Sequence, residues 1–276
     1  MHLMHLMHPL HRLHPLHPMR CPMRNTFAIA QRELNAYFSG PIAYVLIGFF
    51  ALLFGWFFYV PLAFFQQQSM QAGMNPTQAL NINQMLVGPT LMNTTVIMLF
   101  LFPLITMRTY SEEKRSGTIE LLLTSPITDL EIILGKFFGA MLLYAAMLAI
   151  TTIHIGVLFV FGNPEWKPIA TGYLGLLLMG GCFLSLGLFI SSLTKNQIVA
   201  GIATFAVFLM LWVISWISTF VGPTMQAILG YLSLTEHFDD FAKGIIDTKH
   251  VIYYLSFMAF GLFLTAKSVD SERWRG

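Results

Sequence analysis

The sequence predicts an all-α polytopic membrane protein with about six transmembrane helices, an N-terminal interfacial elbow helix and a short cytoplasmic helix between the second and third spans. Three observations carry that prediction. Of 276 residues, 56% are hydrophobic; only 10% are charged; and the charges cluster, leaving long stretches with none. An ordinary soluble domain carries roughly 25% charged residues, and so few could not clothe a soluble surface of this size. The net charge of +2 gives no footprint for nucleic acid. Cys21 and Cys182 lie far apart in unlike surroundings and indicate neither a disulfide framework nor a metal knuckle.

Residues 1–22 stand apart. His2, His5, His8, His11, His14 and His17 recur at every third position among Met, Leu and Pro. A His-rich tract can bind metal, but a triplet period fits neither helix nor strand. Pro9, Pro15, Pro18 and Pro22 also break any signal-peptide h-region. The tract reads as a disordered His/Met/Pro-rich extension, or as translated upstream repeat with the natural start at Met23. A single six-helix domain then occupies residues 23–276. Asn25 is placed to cap a helix whose apolar residues Phe27, Ala30, Leu34, Tyr37 and Phe38 fall on one side, with Arg32 and Glu33 on the other. Gly40-Pro41 ends it. Such a helix either lies in the membrane interface as an elbow or continues the first span into the cytosol.

A helix needs about 20 mostly apolar residues to cross a hydrocarbon core. Six uncharged stretches meet that standard or nearly do: residues 42–65, 89–107, 137–161, 170–193, 198–220 and 251–266. The last is short, and His250 and Lys267 extend it by snorkelling. Pro103 and the Gly180-Gly181 pair are tolerable where neighbouring helices re-satisfy the backbone. Six spans put both termini on one side with the second and fourth loops. Twelve of the fifteen basic residues fall there, and only Lys167, Lys243 and Lys249 fall opposite. Basic loops stay cytoplasmic, so both termini are expected in the cytoplasm.

The second loop, residues 108–136, is the most informative segment. Glu112, Glu113, Lys114 and Arg115 precede Ser116-Gly117-Thr118-Ile119-Glu120-Leu121-Leu122-Leu123-Thr124-Ser125-Pro126. Gly117 and Pro126 bracket a short run of helix formers in which Ile119, Leu122 and Leu123 share one face, with Glu120 and Thr124 on another. Pro126 ends the helix, because it disfavours helical geometry at Ser125. Thr128 and Glu131 form a capping box that opens the helix of the third span. A short apolar face turned to the cytosol needs a partner.

This run, with Gly135-Lys136 after it, resembles the signature of ABC-2 type transporter permeases. Ser191-Ser192-Leu193-Thr194-Lys195-Asn196-Gln197 is a second match. A third, His237-Phe238-Asp239-Asp240-Phe241 with Gly244 and Asp247, resembles the branch found with gliding-motility and related export systems. The resemblance covers Met23 to the C-terminus. It implies an inner-membrane permease half, not itself an enzyme, that pairs with a second permease copy or a homologous permease and with ABC ATP-binding subunits, for export. The loop would hold a coupling helix that docks into the ATPase, drawing on Glu112, Glu113, Gly117, Thr118, Ile119, Glu120, Leu122, Leu123 and Pro126. Gly135-Lys136 is followed by Phe137 and lacks the upstream glycine of a phosphate-binding loop. ATP would therefore be bound by the partner chain, with no cofactor here.

Two other features carry possible chemistry. Glu236, His237, Asp239 and Asp240 stand in the outward loop, where carboxylates beside a histidine can hold a metal or serve as acid and base. Their helical spacing also suits a solvated helix face. A membrane-embedded enzyme or a secondary transporter would have to draw on that cluster, and uncharged spans argue against ion coupling. His154 lies inside the third span, either as a functional group or as a neutral ring bonded to a neighbouring helix. The loop over residues 66–88, rich in Gln, Asn and Met, reads as an outward cap.

Overall fold

The computed structural model describes residues 22–72, 81–123 and 127–273. The His-rich triplet repeat lies outside the described residues, as do Thr124, Ser125 and Pro126. Among the described residues, eleven α-helices follow one another: α1 (Pro22–Ser39), α2 (Ile42–Ala72), α3 (Gly88–Thr106), α4 (Ser111–Ser116), α5 (Thr118–Leu123), α6 (Asp129–Phe161), α7 (Trp166–Ser192), α8 (Gln197–Ser218), α9 (Pro223–Leu232), α10 (Glu236–Ala242) and α11 (Thr248–Arg273). A π-helical turn, Asn83–Val87, leads into α3.

Six segments are long and apolar enough to cross a membrane: Ile42–Gln71, Asn83–Ser116, Asp129–Phe161, Trp166–Ser192, Gln197–Ser218 and Thr248–Glu272. They coincide with the six expected stretches, and the protein is an integral membrane protein. The sixth helix overruns its apolar stretch at both ends, so its length is ample for a span.

The packing is organised around α7. Small residues let helix backbones approach closely where lipid supplies no hydrophobic drive between helices. A Cβ at Gly180 would overlap the Tyr144 ring of α6, one at Gly181 would overlap Met258 of α11, and one at Gly187 would overlap Thr106 of α3. Gly175 takes Phe238 and Phe241 of α10 in the same way. The glycine pair therefore serves as packing surface on two sides of one helix. By contrast, α2, α8 and α11 leave Trp56, Ile202 and Phe260 exposed on the outside of the bundle.

Helix α1 ends at Ser39 and is separate from α2; it lies along α6. Its details differ from the expectation in two respects. Asn25 does not cap it: the helix begins at Pro22, and Asn25 Nδ2 donates to Glu131 Oε1 at 3.0 Å. Phe27 is 68% exposed, while Ile29 and Ala30 are buried. The reason is on α6, where Gly135 and Gly139 admit the side chains of Ile29 and Glu33 so closely that a Cβ at either glycine would overlap them. That contact turns Phe27 outward.

Candidate functional site

One end of the bundle gathers α1, α4, α5, the turn between α7 and α8, and the end of α11. Helix α3 stops at Thr106, and a turn carries the chain to α4. Within it the amides of Tyr110 and Ser111 donate to Ser191 Oγ at 3.1 and 3.2 Å, while the Ser191 hydroxyl donates to Met107 O at 3.2 Å. A single hydroxyl at the end of α7 thus receives the first amides of α4, so the structure brings the first and second sequence motifs together. Asn196 in the second motif caps α8, its Oδ1 accepting from the Ile198 amide at 2.9 Å.

At the centre is Lys136, whose side chain is 1% exposed. Its ammonium donates to Glu113 Oε1 of α4 at 2.7 Å, to Glu33 Oε1 of α1 at 3.0 Å and to the Thr109 carbonyl at 3.1 Å. It also lies 5.2 Å from the centre of the Tyr110 ring. Arg32 adds a second cation, 3.0 Å from Glu33 and 3.7 Å from Glu113. Two cations thus meet two carboxylates, and Lys136 spends all three of its donors. These bonds offset the desolvation of the buried charges, while the buried Glu113 Oε2 has no hydrogen-bond partner among the described groups.

Further ties hold the same loop. Arg108 pairs with Glu112 at 2.9 Å, and the buried Lys114 pairs with Glu272 near the end of α11 at 2.9 Å. Gly117 adopts φ 74°, a left-handed conformation that costs glycine nothing, and this allows α5 to leave α4 sharply. The Ser116 and Thr118 hydroxyls meet across the corner at 2.9 Å. The loop ends at the expected capping box: Thr128 Oγ1 accepts from the Glu131 amide at 3.4 Å, and Glu131 Oε2 accepts from the Thr128 amide at 2.8 Å.

A cleft of about 710 Å³ opens between α1, α3 and the loop, lined by Arg32, Tyr37, Arg108, Glu112 and Thr118 among others. Tyr37 donates to Ile105 O at 3.2 Å. Burial pushes its phenol up to about 12, the Thr109 hydroxyl opposes that shift, and the charge of Glu33 adds to it.

Of the expected loop residues, Glu113 is bound inward as described, Glu112 is half-exposed and pairs with Arg108 within the loop, Gly117 makes the corner, and Thr118 lines the cleft. Ile119 is buried in the chain's own core rather than offered outward. Glu120 is exposed. Leu122 and Leu123 lie in α5 with side chains outside the described residues, and Pro126 is outside them altogether. Lys136, Glu33 and Ser191 are anchors that the sequence placed in or beside the motifs without assigning them a partner. The local signal was a lysine about two turns into α6, just before a long apolar run.

At the opposite end, α10 is not simply a solvated face. His237, Phe238 and Phe241 are buried, and Glu236 Oε1 accepts from the Ser218 hydroxyl at 2.8 Å. Among the described residues no group of three or more His, Cys, Asp and Glu is arranged to hold a metal ion. His154 packs edge-on against Phe54 and tilted against Phe58 of α2, and its buried Nδ1 has no hydrogen-bond partner among the described groups.

Comparison with known proteins adds the following. A family model described as ABC-2 family transporter protein matches residues 27–261. Two curated relatives, from Escherichia coli strain K12 and Escherichia coli O157:H7, are each named probable multidrug ABC transporter permease YbhR. Each is 31% identical over 147 residues, covering 51% of this chain and 39% of the relative. The match thus spans about two fifths of the length of those relatives.

Proposed function

This chain belongs to the ABC-2 family of transporter proteins, and we propose that it is the permease subunit of an ATP-driven ABC transporter. It forms the membrane pathway beside a second permease copy or a homologous permease, and an ATP-binding subunit supplies the energy. Both termini and the loop over residues 108–136 face the cytoplasm of an inner membrane, and the direction is export. The α10 motif supports assignment to the branch resembling gliding-motility and related export permeases.

The observation that carries this reading is the buried Lys136, which ties the loop to two other elements at once. A push on α5 is passed through Gly117 to α4, then through Glu113 to Lys136 in the third span and to Glu33 in α1. Lys114 passes it to Glu272 of the sixth span. In this reading α4 and α5 are the coupling element. Glu113 and Ile119 fix it to the bundle, Glu112 braces it against Arg108, Gly117 and Thr118 form its corner, and Glu120, Leu122 and Leu123 meet the ATPase before Pro126 ends the segment. Helix α1 is the interfacial elbow, joined to the same ion set.

The test is co-expression with ABC ATP-binding subunits from the same organism, purification through a tag on this chain, and reconstitution in lipid. An ATP-binding chain at fixed stoichiometry, with ATPase activity raised by assembly, is the expected result. Purification of this chain alone, with no effect on any such ATPase, overturns the proposal.

A further inference from the structure

At the end of the bundle away from the α4–α5 loop, a chain of three hydrogen bonds links α9, α10 and α11. His237 Nε2 stands 3.0 Å from the Tyr231 carbonyl oxygen, His237 Nδ1 stands 2.6 Å from His250 Nδ1, and His250 Nε2 stands 2.8 Å from Asp240 Oδ2. Both imidazoles are buried, and the His237 ring stacks on Tyr253 with centres 3.9 Å apart. A pocket of about 470 Å³, lined by Gln226, Glu236 and both histidines, opens beside them.

The hydrogens can be counted. A carbonyl and a carboxylate only accept, so both outer bonds require N–H at Nε2 of each ring. A neutral imidazole carries one N–H, which leaves Nδ1 of each ring with a lone pair facing the other at 2.6 Å. Three hydrogen bonds need three hydrogens, while two neutral imidazoles and a carboxylate supply two. We propose that Asp240, His250 and His237 form a binding site for a single proton, which latches α10 to α11.

The proton sits on His250 Nδ1. His250 is then an imidazolium that donates to Asp240 on one side and to His237 on the other, and the Asp240 carboxylate balances its charge. His237 stays neutral as acceptor. Burial lowers its proton affinity below the ordinary histidine value, the Tyr231 carbonyl opposes that shift, and His250 reinforces it. The other titratable groups nearby are engaged or peripheral. Glu236 is held by Ser218, Asp239 pairs with Lys243, and Asp247 pairs with Lys249. Tyr231, Tyr253 and Tyr254 contribute rings, and Cys182 of α7 donates to the Tyr254 carbonyl.

One pH dependence follows. A second proton, on His237, sets N–H against N–H and opens the pair. Because the folded His237 binds protons less well than the unfolded one, this docking is present above the ordinary histidine value and is lost as pH falls through the folded value. Without the shared proton the two Nδ1 lone pairs face one another and nothing joins the rings. Docking of α10 therefore weakens in acid as His237 takes up a proton of its own.

The experiment uses the full chain in lipid nanodiscs, in chelator and without added metal. Nitrogen-labelled histidine is followed by NMR against pH, together with hydrogen exchange of residues 236–251. The expected result is a pair of mutually coupled Nδ1 signals that share one proton. Protection of α10 should fall in acid, by up to about tenfold per pH unit, as linkage to one proton requires. His250→Gln should flatten that profile, and Asp240→Asn should lower protection of α10 because it removes the carboxylate that balances the imidazolium. Two imidazoles that titrate independently, with protection indifferent to pH, overturn the proposal. So does a pairing signal that appears only when zinc or copper replaces the chelator, since the ligand would then be a metal ion.

Discussion

The ammonium of Lys136 in α6 lies 2.7 Å from the carboxylate of Glu113 in α4, so a cation of the third span neutralises an acid of the loop that precedes it. Because the same ammonium also holds Glu33, removing it leaves two carboxylates facing one another with only the more exposed Arg32 between them.

Lys136→Met is accordingly expected to cost about 3–5 kcal/mol, the range for removing one partner of a buried pair. It should also uncouple α1 and α4 from α6. Thermal unfolding of the purified protein measures the first effect. Adding Glu33→Gln and Glu113→Gln should return much of the stability, since both orphaned charges are then gone. A triple variant no more stable than Lys136→Met would show that charge is not what holds this junction.

In the proposed docking segment, Leu122→Asp and Leu123→Asp should each weaken association with an ATP-binding subunit. Burying an aliphatic side chain is worth about 1.5–3 kcal/mol, which is roughly ten- to a hundred-fold in affinity. Glu120→Ala should act through a charged contact, with an effect that shrinks as salt rises. Ile119→Asp should instead destabilise the permease itself, because Ile119 is buried within this chain. Measuring the affinity and the melting temperature of each variant separates the two classes. Asp239→Ala at the opposite end serves as the control.

For orientation, Ser116→Cys and Asn163→Cys in a background free of Cys21 and Cys182 should label oppositely with an impermeant thiol reagent. Ser116 is exposed beside the α4–α5 corner, and Asn163 lies in the turn after α6. The Asn163→Cys chain should react in intact cells, and the Ser116→Cys chain only after the membrane is opened. The reverse pattern would invert the proposed topology.

Tyr37 gives an alkaline signature. Its folded phenol is raised to about 12 from an ordinary value of 10.0, chiefly by burial. A raised value means that its contribution to stability is complete below about pH 10 and is lost as pH climbs through about 12. Tyr37→Phe should remove its share of the alkaline loss of stability. It should also cost about 0.5–1.5 kcal/mol at neutral pH through the lost bond to Ile105 O. Ultraviolet titration of parent and variant should differ by one late-titrating tyrosine.

The sequence by itself determined what depends on neighbours along the chain. Uncharged apolar runs near 20 residues placed all six spans, because transfer into lipid is a sum over a local window. Thr128 and Glu131, three residues apart, announced their capping box, and the motifs around Gly117 and Ser191 pointed to the right family. The tertiary structure alone decided which distant groups meet. Lys136 finds Glu33 across 103 residues and Glu113 across 23, and His250 finds His237 across 13. No periodicity encodes such pairings. They follow from Gly135 and Gly139 drawing α1 against α6, from Gly117 turning α5 away from α4, and from Gly175 seating α10 on α7. A lysine near the end of a span looked like a topology marker, and a histidine before the last span looked like a snorkelling anchor. Burial made each of them a group that must be paired, because an ion or a polar ring taken out of water is stable only beside the partner that the fold supplies.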